Sequence, residues 1–311
     1  MPLPDDFLQY PLRRHGMDHN RYEWSNIFER QPIQWPNGAK VALLITVPIE
    51  FFPLNPQGNP FKAPGSMVTA YPDFRHYTTR DYGNRVAVFR FLKLFKELGI
   101  TVNFAVNSAV AVRYPELIAE LTADGHEIVA HGVDMDTLHY GGMDEVQERA
   151  QVAESVTTMR QISGQKVRGW LSPAASESFN TPDILTEFGI EYVCDWANDE
   201  LPYSMQTKNG NLTAMPISQE LNDRQIIVNY HHTEDSFVQQ VKDQFDWLHA
   251  ESAQHGGRVL SLTLHPYIMG LPYRIRALRE ALTYIMQQPN VWSATGSTLL
   301  AVIVPKLTTN D

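Results

Sequence analysis

Carboxylate and imidazole side chains recur in this chain directly after short apolar segments that are typical of β-strands. The residues in such positions are Glu50, His131, Asp195, His231, His232 and His265. In barrels of alternating strands and helices, the carboxyl ends of the strands meet at one face, and the active sites of such enzymes lie there. Imidazoles transfer protons near neutral pH or bind metals. The pattern therefore predicts acid–base or metal chemistry at that face.

Three of these residues suggest a system that activates water. Glu50 follows the apolar segment 41–49, so we expect burial to raise its pKa and to make it a general base. The proline after His265 ends the preceding strand, which places this histidine at the strand exit, with Asp195 as its orienting partner. A carboxylate that caps a loop and a histidine with a purely structural hydrogen bond are the alternatives.

Four further residues beside these positions are candidates for contacts with a substrate. Trp170 and Trp196 could form the wall of a pocket, although packing in the core is the more common role of such side chains. Phe51 lies next to the predicted base. Neighbouring residues on a strand point to opposite faces, so only one of His231 and His232 can face the pocket, and His232 is the candidate.

The composition is that of an ordinary globular protein. Among 311 residues, 43% are hydrophobic and 19% are charged, and the formal net charge of −10 argues against nucleic acid or an anionic membrane as a partner. One cysteine, Cys194, excludes an internal disulfide and a cysteine-based zinc cluster. The chain has neither the layout of a secretory signal nor an apolar run of membrane-spanning length. We therefore expect a cytoplasmic protein that acts on a small molecule.

Strand-like and helix-like segments alternate along the chain. The predicted strands are 41–49, 101–106, 128–130, 167–171, 190–194, 212–217, 225–230, 258–264 and 291–293. The predicted helices are 85–98, 115–123, 145–162, one that begins at 181, 236–251 and 273–287. This alternation indicates an α/β protein with mostly parallel pairing, and the number of units favours a barrel over two open sheets.

The same pattern predicts one catalytic domain over residues 35–300. Residues 1–34 form an N-terminal extension and residues 301–311 a C-terminal tail. The segment 51–82 is rich in proline, glycine and aromatic residues and has no clear period, so we expect an insertion loop. Its aromatic side chains suit a lid over the pocket or an interface between subunits.

Several motifs occur in an order that resembles a known family over roughly residues 35–300. They are a strand that ends in Glu50, then Arg80-Asp81-Tyr82-Gly83, Gly125-His126-Glu127-Ile128, His131-Gly132, Gly169-Trp170, the segment 195–203 and Leu264-His265-Pro266. The set resembles the polysaccharide deacetylase (NodB-homology) superfamily. The segments 81–85 and 195–203 are most similar to its intracellular branch, which has allantoinase-like and cyclic-imide-hydrolase-like members.

The resemblance implies a distorted (β/α) barrel, often of seven strands, that hydrolyses a carbon–nitrogen bond other than a peptide bond. Typical members carry two aspartates after the first strand, a base and a metal ligand, where this chain has Glu50 and Phe51. They also carry two ligand histidines four residues apart, where this chain has His131 and Met135. The base is therefore retained while two ligands are replaced. The arginine of the third motif has no plain counterpart after Gly169-Trp170.

A metal site rebuilt from other residues is one possibility that the resemblance leaves open. Glu50, His131 and His265, together or with Asp134 or His232, would supply the three protein ligands of an open zinc site. The cofactor is thus either absent or one divalent metal, zinc if any. Without a metal, His131 would donate a hydrogen bond to the developing oxyanion.

The favoured function is the opening of a small cyclic amide, imide or ureide by activated water. Glu50 would take the proton of the water, and His265 would protonate the leaving nitrogen. The alternatives are a metal-dependent deacetylase of an N-acetyl sugar and a non-catalytic member that binds a small ligand. The resemblance also implies a homo-oligomer, either a dimer or a tetramer.

Overall fold

The computed structural model describes residues 19–57 and 72–307 as an α/β structure around one sheet. The strands are β1 (Val41–Ile49), β2 (Asn103–Val106), β3 (Glu127–Ala130), β4 (Gly169–Trp170), β5 (Tyr192–Val193), β6 (Tyr203–Thr207), β7 (Gly210–Ala214), β8 (Arg258–Thr263) and β9 (Val291–Ala294). The helices are α1 (Phe74–Tyr82), α2 (Val88–Leu98), α3 (Ser108–Arg113), α4 (Pro115–Ala123), α5 (Glu145–Ser163), α6 (Thr181–Glu187), α7 (Glu234–His255), α8 (Pro266–Met269), α9 (Ile275–Met286) and α10 (Gly296–Leu307). Two π-helical segments, Gly83–Ala87 and Arg224–Asn229, complete the set that positions the site.

The sheet curls into a partly open barrel, which confirms the predicted fold class. Its strand order is β6-β7-β5-β4-β3-β2-β1-β8, and β9 pairs with β1. All pairs are parallel except the β6–β7 hairpin. Parallel pairing brings the carboxyl ends of β1, β3 and β8 to one face of the sheet, as the positions of the titratable residues predict.

The middle of the sheet is buried because helices cover it. Every residue of β1 is buried, which explains why this strand is almost continuously apolar. Helix α2 turns an apolar side to the sheet through Val88, Phe91 and Phe95. It ends at Gly99, whose φ of 65° is the left-handed conformation that favours glycine at a helix end.

The predicted strand 225–230 is wrong, since the structure has a π-helical segment there. Ile226 and Ile227 are both buried and Val228 is exposed, which is typical of a helical turn and not of an alternating strand. The residues just before it lie beside β8 instead, where Asn222 forms an isolated parallel bridge with Thr263. The edge strands of the open sheet are β6 and β8, so this stretch lies beside one of the two edges.

The predicted loop and tails contain more structure than the sequence indicates. The last part of the 51–82 segment is helix α1, which begins after the side chain of Asp73 caps it. Helix α10 continues to Leu307, so the predicted tail 301–311 starts inside a helix whose Ile303 is buried. In the N-terminal extension, Arg21 forms an ion pair with Asp183 at 2.7 Å. Two aromatic residues of the predicted lid, Phe61 and Tyr71, lie outside the described residues.

Candidate functional site

A cavity of about 250 Å³ opens at the carboxyl ends of β1, β3 and β8. Its charged and strongly polar lining residues include Glu50, Arg80, His131, Asn222, Arg224 and His265. The structure therefore brings together three of the four predicted catalytic residues, Glu50, His131 and His265. They meet because each directly follows a strand, or in the case of His265 lies two residues after it, on the same face of the sheet.

Glu50 is buried at the centre of a hydrogen-bonded cluster. Its Oε2 accepts hydrogen bonds from Arg80 Nε and from the hydroxyl of Tyr267, each at 3.0 Å. Its main-chain carbonyl accepts from the side-chain amide of Asn84 at 3.0 Å. Its other oxygen, Oε1, lies 3.7 Å from Nε2 of His265. One carboxylate oxygen is thus saturated, while the other faces an imidazole.

The predicted rise in the pKa of Glu50 is wrong. Burial acts to raise this pKa, but the positive charge of Arg80, with His265 and Arg224 nearby, outweighs burial and lowers the pKa to about 2. The sequence indicated the burial but not the arginine. Glu50 is therefore a carboxylate throughout the physiological pH range, and a weak base.

His265 is oriented by Asp223 and not by Asp195, which corrects the predicted pairing. Nδ1 of His265 lies 2.6 Å from Oδ1 of Asp223, and its main-chain N–H donates to Oδ2 at 2.7 Å. Asp223 is fully buried. Since a carboxylate oxygen accepts the bond, Nδ1 carries the hydrogen, and Nε2 presents a lone pair toward Glu50 in the neutral ring.

His131 is held in a single tautomer by the main chain. Its Nδ1 donates to the carbonyl oxygen of Leu171 at 2.7 Å. Burial lowers the pKa of His131 despite this bond and the nearby charge of Glu50. The ring is thus neutral, and its Nε2 has no partner within the described part of the chain. Because this nitrogen carries no hydrogen, His131 accepts hydrogen bonds, and the predicted donation to an oxyanion is wrong.

Comparisons with known proteins agree with this fold. The model of the polysaccharide deacetylase family matches residues 70–193. The crystal structure described as PuuE allantoinase superposes with a TM-score of 0.79 at 26% identity, over 90% of this chain and 97% of that one. The crystal structure of a probable polysaccharide deacetylase from Pseudomonas aeruginosa PAO1 superposes with a TM-score of 0.78 at 27% identity, over 89% of this chain and 96% of that one.

This chain is similar to the polysaccharide deacetylase family over residues 70–193.

Among curated proteins, one from Schizosaccharomyces pombe, provisionally named a polysaccharide deacetylase, is 26% identical to this chain over 234 residues. The match covers 69% of this chain and 72% of that protein. The peptidoglycan deacetylase of Helicobacter pylori is 21% identical over 242 residues, 68% and 81% of the two chains. Both of these relatives are named as deacetylases.

Asp195 lies beside the cavity wall and does not line the cavity. Its Oδ1 accepts the main-chain N–H of Ser172 at 2.7 Å, and its carboxyl is paired with that of Glu177. Burial, followed by the charge of Asp195, raises the pKa of Glu177 well above its usual range, and burial likewise raises the pKa of Asp195. Asp195 therefore supports the loop that follows β4.

The four predicted substrate contacts do not line this cavity. Trp170 is fully buried, and its Nε1 donates to Ser172 Oγ at 2.8 Å. Trp196 donates to the carboxylate of Glu177. Phe51 faces the other side of Glu50, where Arg113 stacks on its ring at 4.0 Å. His232 is exposed and contacts Gln240.

The residues of the cavity do not fit the predicted zinc ion. The structure, over the residues it describes, holds no group of three His, Cys, Asp or Glu side chains that could bind a metal. Asp134 accepts two main-chain N–H groups of its own loop. At Glu50, the guanidinium of Arg80 occupies the position beside the carboxylate that a cation would take. Phe51 stands where the resemblance implies a second metal ligand.

Sequence reasoning missed Asp223, Arg80, Tyr267 and Arg224. Arg80 lies in a quoted motif, Arg80-Asp81-Tyr82-Gly83, but the motif gives no sign that its side chain reaches Glu50. Tyr267 follows His265 by two residues. The proline between them predicts the end of the strand but not the direction of the tyrosine side chain. Asp223 and Arg224 precede a segment that was predicted to be a strand, so their proximity to the site was hidden.

Proposed function

We propose that this chain hydrolyses the carbon–nitrogen bond of a small cyclic amide, imide or ureide. The cavity of about 250 Å³ carries the proposal, since pockets for drug-sized ligands are larger, about 300–1,000 Å³. Side-chain amides line one of its walls: Gln219, Asn222, Gln225 and Asn229. Each amide both donates and accepts hydrogen bonds, which matches the alternating N–H and C=O groups of such rings. The likeness to PuuE allantoinase supports the same substrate class.

In this proposal the nucleophile is a water held between Glu50 and His265. Their facing atoms are 3.7 Å apart, too far for a direct hydrogen bond but suited to a molecule that contacts both. Nε2 of His265 takes a proton as the water oxygen attacks the ring carbonyl carbon. The imidazolium then gives that proton to the ring nitrogen as the carbon–nitrogen bond breaks. Proton transfer of this kind contributes about 10²–10⁴-fold to a rate.

In this proposal His265, and not the predicted base Glu50, takes the proton of the water, while Glu50 orients the water. A general base acts best when its pKa lies near the working pH, and the pKa of Glu50 is about 2. We therefore propose that Glu50 orients the water and that its charge stabilises the imidazolium of His265. His131 accepts an N–H of the ring at Nε2.

A hydrolysis panel on the purified protein, with and without a chelator, tests the function. It sets succinimide, dihydrouracil, hydantoin and allantoin against N-acetyl-chito-oligosaccharides, with products separated by chromatography. We expect ring opening that persists in the chelator, because the cavity does not fit a zinc ion. Acetate release that stops on chelation would contradict the proposal and indicate a deacetylase. Binding without any product would contradict it in favour of a non-catalytic protein.

A further inference from the structure

Arg224 lines the catalytic cavity without taking part in the proposed proton transfers. It begins the π-helical segment Arg224–Asn229 and is half-buried. Its Nη1 donates to the hydroxyl of Tyr267 at 3.0 Å. Over residues 19–57 and 72–307, no carboxylate forms an ion pair with it within 4.0 Å. Within the described part of the chain, the guanidinium therefore lies at the cavity without a direct ion pair, although it is near enough to Glu50 to help lower the pKa of that carboxyl.

The second arginine of the cavity shows what Arg224 lacks. Arg80 is 4% exposed and its Nε donates to Glu50, so its charge is balanced inside the protein. A partly desolvated guanidinium without an anion is costly, and an anionic ligand offsets that cost. The planar guanidinium also matches a carboxylate, which it binds through two parallel hydrogen bonds.

Tyr267 fixes the distance between this charge and the reacting groups. Its hydroxyl accepts from Arg224 and donates to Oε2 of Glu50, each at 3.0 Å. Burial, followed by the charge of Glu50, raises the pKa of Tyr267, so the phenol keeps its proton. Its hydroxyl can therefore donate to Glu50 while it accepts from Arg224. One side chain therefore separates the guanidinium from the carboxylate beside the proposed water, a spacing on the scale of one small ring.

We infer that Arg224 binds an anionic group of the substrate, so that the substrate is a small cyclic amide that carries a carboxylate beside the ring. The identity of the ring rests on the proposed function, whereas the anion site rests on Arg224 and Tyr267. The amides of Asn222 and Gln225 flank Arg224 in sequence and line the same cavity, where they are placed to contact the ring itself.

A matched pair of ligands tests the anion site by equilibrium binding. Hydantoin-5-acetate and hydantoin-5-acetamide have nearly the same shape and differ in charge. Isothermal titration calorimetry on the wild-type protein gives both dissociation constants at low ionic strength. We expect the carboxylate to bind at least about 10-fold more tightly than the amide, a typical effect of one charge-assisted pair.

Variants of two arginines separate the anion site from a general loss of charge. In Arg224→Gln the ratio of the two constants should fall to about two or less, and Arg224→Lys should retain part of it, since lysine keeps the charge without the bidentate geometry. Arg90→Gln is the control, because Arg90 is also half-buried and donates through Nη1 to a tyrosine hydroxyl, that of Tyr82, but does not line the cavity. It should keep the wild-type ratio.

The outcomes distinguish this inference from the proposed function. Equal affinity for the two ligands in the wild type, or an unchanged ratio in Arg224→Gln, would overturn the anion site even if hydantoins are hydrolysed. A charge preference that depends on Arg224 would support the anion site even if no ring is opened in the separate turnover assay. In that last case the result would contradict the proposed reaction and support the anion-binding site.

Discussion

Asp223 and Asp195 show how two aspartates near the same face of the sheet serve different purposes. Asp223 holds both the ring and the main chain of His265. Asp195 holds the main chain of Ser172 and shares its surroundings with Glu177. The first therefore controls which nitrogen of the catalytic imidazole carries the hydrogen, while the second supports a loop.

The isosteric variants Asp223→Asn and Asp195→Asn test this division. Asparagine at 223 removes the charge that stabilises the imidazolium and can favour the wrong tautomer of His265, so we expect kcat/KM to fall by about 10²–10⁴-fold. Asparagine at 195 should lower it by less than about 10-fold, because that residue does not touch the reacting groups. The assay is steady-state turnover of the best ring substrate, with thermal unfolding to verify folding. Equal losses in both variants would contradict the assignment.

At this scale the sequence predicts positions better than partners. Glu50, His131 and His265 could be predicted because an apolar segment that ends in a titratable residue determines both the strand and its exit. The partners of these residues come from elsewhere in the chain, such as Arg80 on α1 and Asp223 before a π-helical segment. Tertiary packing brings these partners to the site, and no local sequence pattern encodes it. The predicted direction of the pKa shift at Glu50 was wrong for the same reason, since the position of Arg80 could not be predicted.

Among the elements, α10 extends into the predicted C-terminal tail. The sequence predicts a tail from residue 301, yet α10 runs from Gly296 to Leu307. Leu299, Leu300 and Ile303 are buried in a cluster with residues of β1 and β9. The helix thus closes the amino-terminal side of the barrel core and contributes to its stability.

Truncation of one side chain in α10 measures that contribution. We expect Ile303→Ala to lower the free energy of unfolding by about 2–4 kcal/mol, because it leaves a cavity in a packed cluster. The control Val146→Ala, on the exposed side of α5, should change it by less than about 0.5 kcal/mol. Urea unfolding followed by circular dichroism gives both values. An Ile303→Ala protein as stable as the control would show that the end of the helix is dispensable.

Regular elements follow from the sequence where their periodicity is strong. Helix α4 has the predicted bounds, and β1 as well, because a proline at the first helical position and a continuous apolar run are local signals. The β6–β7 hairpin was predicted only in its second strand, and the π-helical segments were not predicted. A π-helical turn differs from an α-helix in its backbone hydrogen bonds, which join residues five apart. Over a short apolar segment such as Ile226–Val228, the residue pattern does not distinguish a helical turn from a strand.

For the whole molecule, the partly open barrel explains why the site is small and polar. The sheet is open between its edge strands β6 and β8. Asn222 and Arg224, which lie between β7 and β8 in the chain, line the cavity with an amide and a guanidinium. Within the described chain, none of the helices has the length and apolar character needed to span a membrane. The cytoplasmic location and the homo-oligomer remain predictions.

The central claim is that Glu50, with His265, forms the catalytic centre of a carbon–nitrogen hydrolase. The variant Glu50→Gln keeps the size of the side chain but removes the charge that stabilises the imidazolium. Because it also leaves Arg80 without its anion, the assay is run at a temperature where circular dichroism shows the variant folded.

The measurement is kcat/KM of Glu50→Gln and of the wild type on the ring substrate that the panel identifies. We predict a fall of at least about 100-fold, within the range of lost acid–base catalysis. A folded Glu50→Gln protein with turnover within about twofold of the wild type would contradict the account, because that difference is too small for a catalytic carboxylate.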